Sequence, residues 1–268
     1  MTSNSAKHNP KTATGPAANW PHFFTSQPIP IMATATTTPK QAAKAAPAAL
    51  VTTSADTLTA SARPAYLVAG VDESTGEETW SNRFRYLPGH PRQVRFDAKA
   101  GQFNINGTVP LGSSIRFIPL AWRIFQDDIL NMGRKTWAEL YFTDEKGAVC
   151  AVLFHGYSVE NLYRLIEPLF YDDLTLADVV VTVTATKKET TKEGKKATYY
   201  IAEFSYTAAD PAEAQARKDF ARDFELWRAE TYTGAADLKL TQGYTVPAEM
   251  QEQAARAQLA PPAAALAA

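Results

Sequence analysis

Five lysines fall within the ten residues "KKETTKEGKK": Lys187, Lys188, Lys192, Lys195 and Lys196. With Glu189 and Glu193 among them, the stretch carries 5 − 2 = +3 in a chain whose net charge is −1. A local cluster of ammonium groups suits one chemistry above others, the neutralisation of phosphates with release of their counterions. The near-zero total excludes a uniformly basic coat, so any attraction to polyanions has to be local. The competing explanation is a hairpin tip that lysines merely solvate.

Other reactive residues lack the spacing that their chemistry needs. "NMGRKT" and "KEGKKAT" echo a phosphate-cradling loop but lack its upstream glycine. The four histidines, His8, His22, His90 and His155, are scattered, and no Cys/His cluster exists for zinc. Cys150 is the single cysteine, which excludes an intramolecular disulfide. It falls in an apolar run with no local base, so a buried, inert thiol is expected. The pairs Asp127–Asp128, Asp144–Glu145 and Asp172–Asp173 fall in turns or connections. Two-metal nucleases gather carboxylates around a cleft instead. The expectation is a protein that is not an enzyme, with no cofactor and no metal.

The elements that must hold the lysines come from composition and period. Residues 1–62 are rich in Ala, Thr, Pro and Ser and show no hydrophobic period, which predicts a disordered arm. "NWPHFF" (Asn19–Phe24) is its one aromatic cluster. No long apolar run marks a signal peptide or a membrane span, so the chain is read as cytoplasmic, with no membrane partner. From Pro64 the texture is β-rich. "AYLVAGV" reads as a strand, and "RQVRFD" with "GQFNING" as a hairpin. "SSIRFIPLAWRIFQ" reads as a long strand, bent near Pro119. "TWAELYF" and "AVCAVLFHG" flank "TDEKG", where Gly147 supplies the positive φ of a hairpin turn.

Ser158 is the expected N-cap of the helix "SVENLYRLIEPLF", which Pro168 should weaken or end. "ADVVVTVTATKK" and "ATYYIAEFSY" are strands on either side of the lysine loop. A helix over 210–230 follows, capped by Asp210, with Pro211 at its first position and Glu213 completing a capping box. Its stripe Phe220, Phe224, Trp227 docks on the body, or alternatively makes a homo-oligomer contact. Residues 231–268 read as a mostly flexible tail.

From Ser113 to Tyr206 the order is three strands, a helix and two strands. That order resembles OB-fold single-stranded DNA-binding proteins of phages and mobile elements, by element order and basic loops alone. The resemblance implies a mainly β fold with added helices. It would be a five-stranded OB-fold-like barrel over 63–209 with an N-terminal β extension and a C-terminal helix. It implies non-enzymatic binding of single-stranded DNA in replication or recombination, between two loop rims. The lysine loop is one rim, and "DDILNMGRK", ending in Arg134 and Lys135, is the other.

Single-strand binders stack bases on exposed rings. Trp137 and Tyr141 share parity with Glu139, whose polarity marks that face as wet, leaving Ala138, Leu140 and Phe142 for the core. Trp122, His155, Tyr157 and Tyr199 would extend the platform. The resemblance departs at the last residues, "APPAAALAA", which do not match the acidic tip of bacterial single-strand binding proteins, so recruitment of partners through such a tip is not expected. The alternatives are an assembly or adaptor protein that uses the barrel for protein contacts, and a metal-dependent nuclease.

Overall fold

The computed structural model describes residues 63–192 and 195–259. The predicted disordered arm with its "NWPHFF" cluster, and the last residues of the predicted tail, lie outside the described residues. β1 (Leu67–Val71) and β2 (Glu78–Asn82) form a separate hairpin. β3 (Arg92–Asp97), β4 (Gln102–Ile105) and β5 (Val109–Gly112) form an antiparallel meander. β6 (Ser114–Phe117) and β7 (Pro119–Asp128) are the halves of the long predicted strand, broken where Pro119 cannot donate to a ladder. β8 (Arg134–Thr143) and β9 (Val149–His155) follow, joined by the predicted turn in which Gly147 has φ 75°. Next come α1 (Tyr157–Tyr171), β10 (Val179–Lys192), β11 (Lys195–Ala208), α2 (Pro211–Asp223), β12 (Asp237–Gln242) and α3 (Ala248–Leu259).

The protein is mainly β, with added helices. One sheet has the order β12-β7-β8-β9-β3-β4-β5, and another has the order β11-β10-β6. The bend at Pro119 lets one stretch of chain serve both sheets: β6 pairs with β10, and β7 with β8. No closed barrel forms among the described residues. Closure would need the outer edges of β9 and β11 to meet. β9 instead takes β3 in parallel, from Arg92 opposite Cys150 to Val94 opposite Val152.

At β11, side chains of α1 do what a neighbouring strand would do. Ser158 Oγ accepts from the Ala202 N–H at 3.0 Å, and Asn161 Nδ2 donates to the Ala202 carbonyl at 2.9 Å. At Ala202 the edge is thereby closed to a further strand. Ser158 is therefore not the N-cap. Gly156 holds that position, and α1 runs through Pro168 to Tyr171.

The central strands β7, β8 and β9 are buried on both faces. Trp122, Ile124, Ala138, Leu140, Phe142 and Val152 pack toward α1 and β10. Ala121, Tyr141 and Ala151 pack toward Phe220 of α2 and toward Tyr66, Phe84 and Leu226, while Phe125 and Trp137 pack with Ile129. α2 starts as predicted, with the Asp210 carboxylate accepting from the N–H groups of Ala212 and Glu213 at 2.9 and 3.0 Å. Glu213 does not reach back to close a capping box. It forms a bidentate pair with Arg83 at 2.9 and 3.0 Å.

α2 ends at Asp223, short of the predicted 230, and Phe224 is already extended. The chain turns there to cover the sheet. The Tyr86 hydroxyl accepts from the Trp227 N–H at 3.1 Å and donates to the Trp227 carbonyl at 2.9 Å. The tail predicted as flexible contains β12, paired to β7 from Asp237 opposite Gln126 to Gln242 opposite Trp122, and the helix α3. No helix among the described residues is long and apolar enough to cross a membrane.

Candidate nucleic-acid interface

The expected aromatic platform lies inside the protein. Trp122, Trp137 and Tyr141 are 5%, 1% and 0% exposed, so none of them can stack a base. Trp122 belongs to the α1-side core, and its Nε1 donates to Gln242 Oε1 of β12 at 3.2 Å. Trp137 is packed with Phe125 and Ile129 on the other face and donates to the Asp127 carbonyl at 3.1 Å. Both faces of β8 are covered, so neither assignment of a wet face holds. Of the predicted extensions, His155 and Tyr157 are exposed, and Tyr199 is half-buried. His155 sits edge-on to Trp137 at 5.2 Å. Partial enclosure of the ring against Trp137, then the nearby Lys135 charge, lowers the His155 pKa, which keeps the ring neutral at neutral pH.

Glu139, the residue that suggested a wet face, is completely buried in an ionic cluster. Arg123 lies directly opposite it on β7, with Nε at 2.9 Å and Nη2 at 2.8 Å from Glu139 Oε2. The Tyr141 hydroxyl donates to the same oxygen at 2.9 Å, and Thr231 Oγ1 lies 2.9 Å from Oε1. Arg228 Nη1 stands 3.6 Å from Oε1. A buried charge needs such a full set of partners. The signal in the sequence was the register. If Asp128 faces Arg134 across "ILNMG", counting outward brings Arg123 opposite Glu139.

The two predicted basic rims fare differently. Arg134 and Lys135 face Asp128 and Asp127 across the β7–β8 pair, so that rim is locally balanced, 2 − 2 = 0. The lysine loop is not a loop. β10 and β11 continue as a two-stranded ribbon until Lys192 faces Lys195. β6 accompanies β10 only as far as Thr184, opposite Ser114. Beyond Lys187 the ribbon extends about 17 Å at the ordinary rise per residue. Its lysines divide between two faces by alternation. Lys187 is opposite Tyr200, and Lys188 is opposite Tyr199.

Lys187 lies 3.4 Å from Glu189, and Lys188 lies 3.0 Å from Glu203, on an exposed surface where water screens both pairs. The hydrogen bond from Lys188, with help from Thr186, holds the Glu203 carboxyl below the usual carboxylate range. Lys196 is exposed, while the side chains of Lys192 and Lys195 lie outside the described residues. Cys150 is buried, and burial pushes its thiol up to about 12.

A feature missed in the sequence adjoins the ribbon. The Tyr200 N–H donates to the Ala98 carbonyl of the β3–β4 turn at 2.8 Å. Gly101 of that turn has φ +67°, and a Cβ there would lie 2.5 Å from the Tyr200 ring. Only glycine allows the ring to lie flat on that backbone. Scans against protein-family models and searches of curated proteins and of solved structures find no match to this chain.

Proposed function

We propose that this protein binds single-stranded DNA without catalysis, in replication or recombination, and that its primary contact is the β10–β11 ribbon. The carrying observation is the ribbon itself, an outlying pair of strands with Lys187 and Lys196 exposed and Lys188 half-buried along it. A cationic ribbon engages a phosphate backbone without reading sequence. Tyr199, half-buried opposite Lys188, is the ring that the ribbon offers for stacking. The proposed architecture is an opened OB-like barrel. Its support is the bent β6–β7 strand shared between β10 and β8, with α1 between β9 and β10.

Binding of labelled oligodeoxythymidine, followed by fluorescence anisotropy at two salt concentrations beside duplex DNA and single-stranded RNA, tests this. The variant K187Q/K188Q/K195Q/K196Q is expected to bind more weakly, with a salt slope shallower by about 0.7 for each phosphate that the protein no longer neutralises. An unchanged affinity and slope in that variant would assign the lysines to solvation alone.

A separate observation favours an assembly or adaptor role. The β1–β2 hairpin is exposed on both faces, and Trp80 and Val71 share one of them. Two-stranded hairpins are marginal in water unless something packs on them. Chromatography with light scattering distinguishes this reading, which expects a stable complex in the absence of DNA.

A further inference from the structure

The ribbon reading leaves unused a set of cations on the outer side of the β3–β4 hairpin. Two shallow concavities lie end to end along β3 there. The first is bordered by Arg85, His90, Arg92 and Asn106 and reaches Gln93. The second starts at Arg95 and runs to Lys99. Arg92 is neutralised by Asp144 at 2.7 Å. Arg85 and Arg95 are held differently. Arg85 Nη2 donates to the Lys146 carbonyl at 2.5 Å, and Arg95 donates through Nε and Nη2 to Gln93 Oε1 at 3.3 and 3.0 Å.

Neither arginine, nor Lys99, has a carboxylate at ion-pair distance among the described residues. A guanidinium positioned by neutral acceptors keeps its full charge and its remaining donors for an outside anion. Two further acids adjoin the groove: Glu230 accepts from Gln93 Nε2 and is paired with Arg228, and Asp97 is turned into its own loop, accepting from the N–H groups of Lys99 and Ala100 at 2.8 and 3.0 Å.

This groove is fixed to the ribbon. The Ala98–Gly101 turn, which contains Lys99, is the turn that Tyr200 grips, and Lys187 stands directly across the ribbon from Tyr200. Cations therefore follow one another from the ribbon through Lys99 to Arg95 and Arg85. We infer that the β3 groove continues the nucleic-acid track, and that Arg85, Arg95 and Lys99 hold the phosphodiester backbone of the strand once it has left the ribbon. The inference rests on the single-stranded DNA reading above and assigns to it a second, separable contact.

The test uses labelled oligodeoxythymidines of increasing length with the wild type, the ribbon variant K187Q/K188Q/K196Q and the groove variant R85Q/R95Q/K99Q. All three groove side chains are exposed, so melting curves should show the groove variant folded. On long oligonucleotides the groove variant is expected to bind about tenfold or more weakly, with a salt slope shallower by about 2, three phosphates at about 0.7 each. On the shortest oligonucleotide that the wild type binds, which fills the ribbon alone, the groove variant should match the wild type. A groove variant equal to the wild type at every length, beside a weakened ribbon variant, overturns the groove and leaves the function standing. A wild type that binds no oligodeoxythymidine overturns both.

Discussion

Glu139 shows how a single charge can mislead and then explain. On a strand between Ala138 and Leu140 it reads as the mark of a solvated face. In the fold it is the anion between Arg123 and Arg228, 0% exposed. Arg123 also lies over the rings of Phe125 and Tyr244, at 3.9 and 4.3 Å from their centroids. Replacing Glu139 with alanine would leave the buried Arg123 guanidinium without a carboxylate and Arg228 with Glu230 alone, a loss of about 3–5 kcal/mol for breaking a buried pair. Urea denaturation of Glu139→Ala is expected to show a midpoint lowered accordingly. A change under about 1 kcal/mol would mean that the cluster is solvated, as at a surface pair. The strand register offers Arg123 as the partner of Glu139, but nothing local offers Arg228 and Thr231, which come from far along the chain and complete the burial. Cys150 was legible, since a thiol in an apolar strand has few other fates.

Among the elements, those defined by local signals were readable: the Gly147 hairpin, the Asp210 cap with Pro211, the break at Pro119 and the long β10 and β11. Those defined by distant partners were not. The stripe Phe220, Phe224, Trp227 continues a helical period past Asp223, yet the chain leaves the helix once Phe224 has stacked on Phe220 at 4.3 Å. β12 is short and polar, and only its pairing with β7 makes it a strand.

The start of α2 carries a pH signature. Hydrogen bonds from Arg83, then from Arg217, hold the Glu213 carboxyl below its ordinary range. A carboxyl depressed in the folded state contributes stability above its unfolded pKa and loses it as pH falls through the folded value. Wild-type stability should therefore decline from about pH 4.3 downward. Glu213→Gln should be less stable at neutral pH and decline less steeply in acid. Urea midpoints measured across that range check this, and parallel acid profiles for the two proteins would show that the pair contributes nothing.

For the molecule as a whole, the decisive fact is that the central strands are sandwiched. One cover is α1 with β10. The other is assembled from both ends of the described chain, Tyr66 and Phe84 from one side and Phe220 and Leu226 from the other. A chain ending at Asp223 would lack Leu226, Arg228, Thr231 and β12. It would remove Ala236 from the Trp137 cluster and leave Arg123 and Glu139 without Thr231 and Arg228. Such a truncation is expected to lose its near-ultraviolet circular dichroism and its cooperative melting. A sharp, native-like transition would show that the cover is dispensable. The fold class was legible in the sequence because β-branched alternation is a property of each strand. The closure was not, because nothing local says that β9 will take β3 in parallel. The two-sided cover also bears on biosynthesis. β7, β8 and β9 leave the ribosome well before the segment that seals their second face. At ordinary elongation of about 5–20 residues per second, the nascent chain holds a half-dressed sheet for roughly 4–20 s. During that interval its safety rests on whatever in the cell shields unfinished apolar surface.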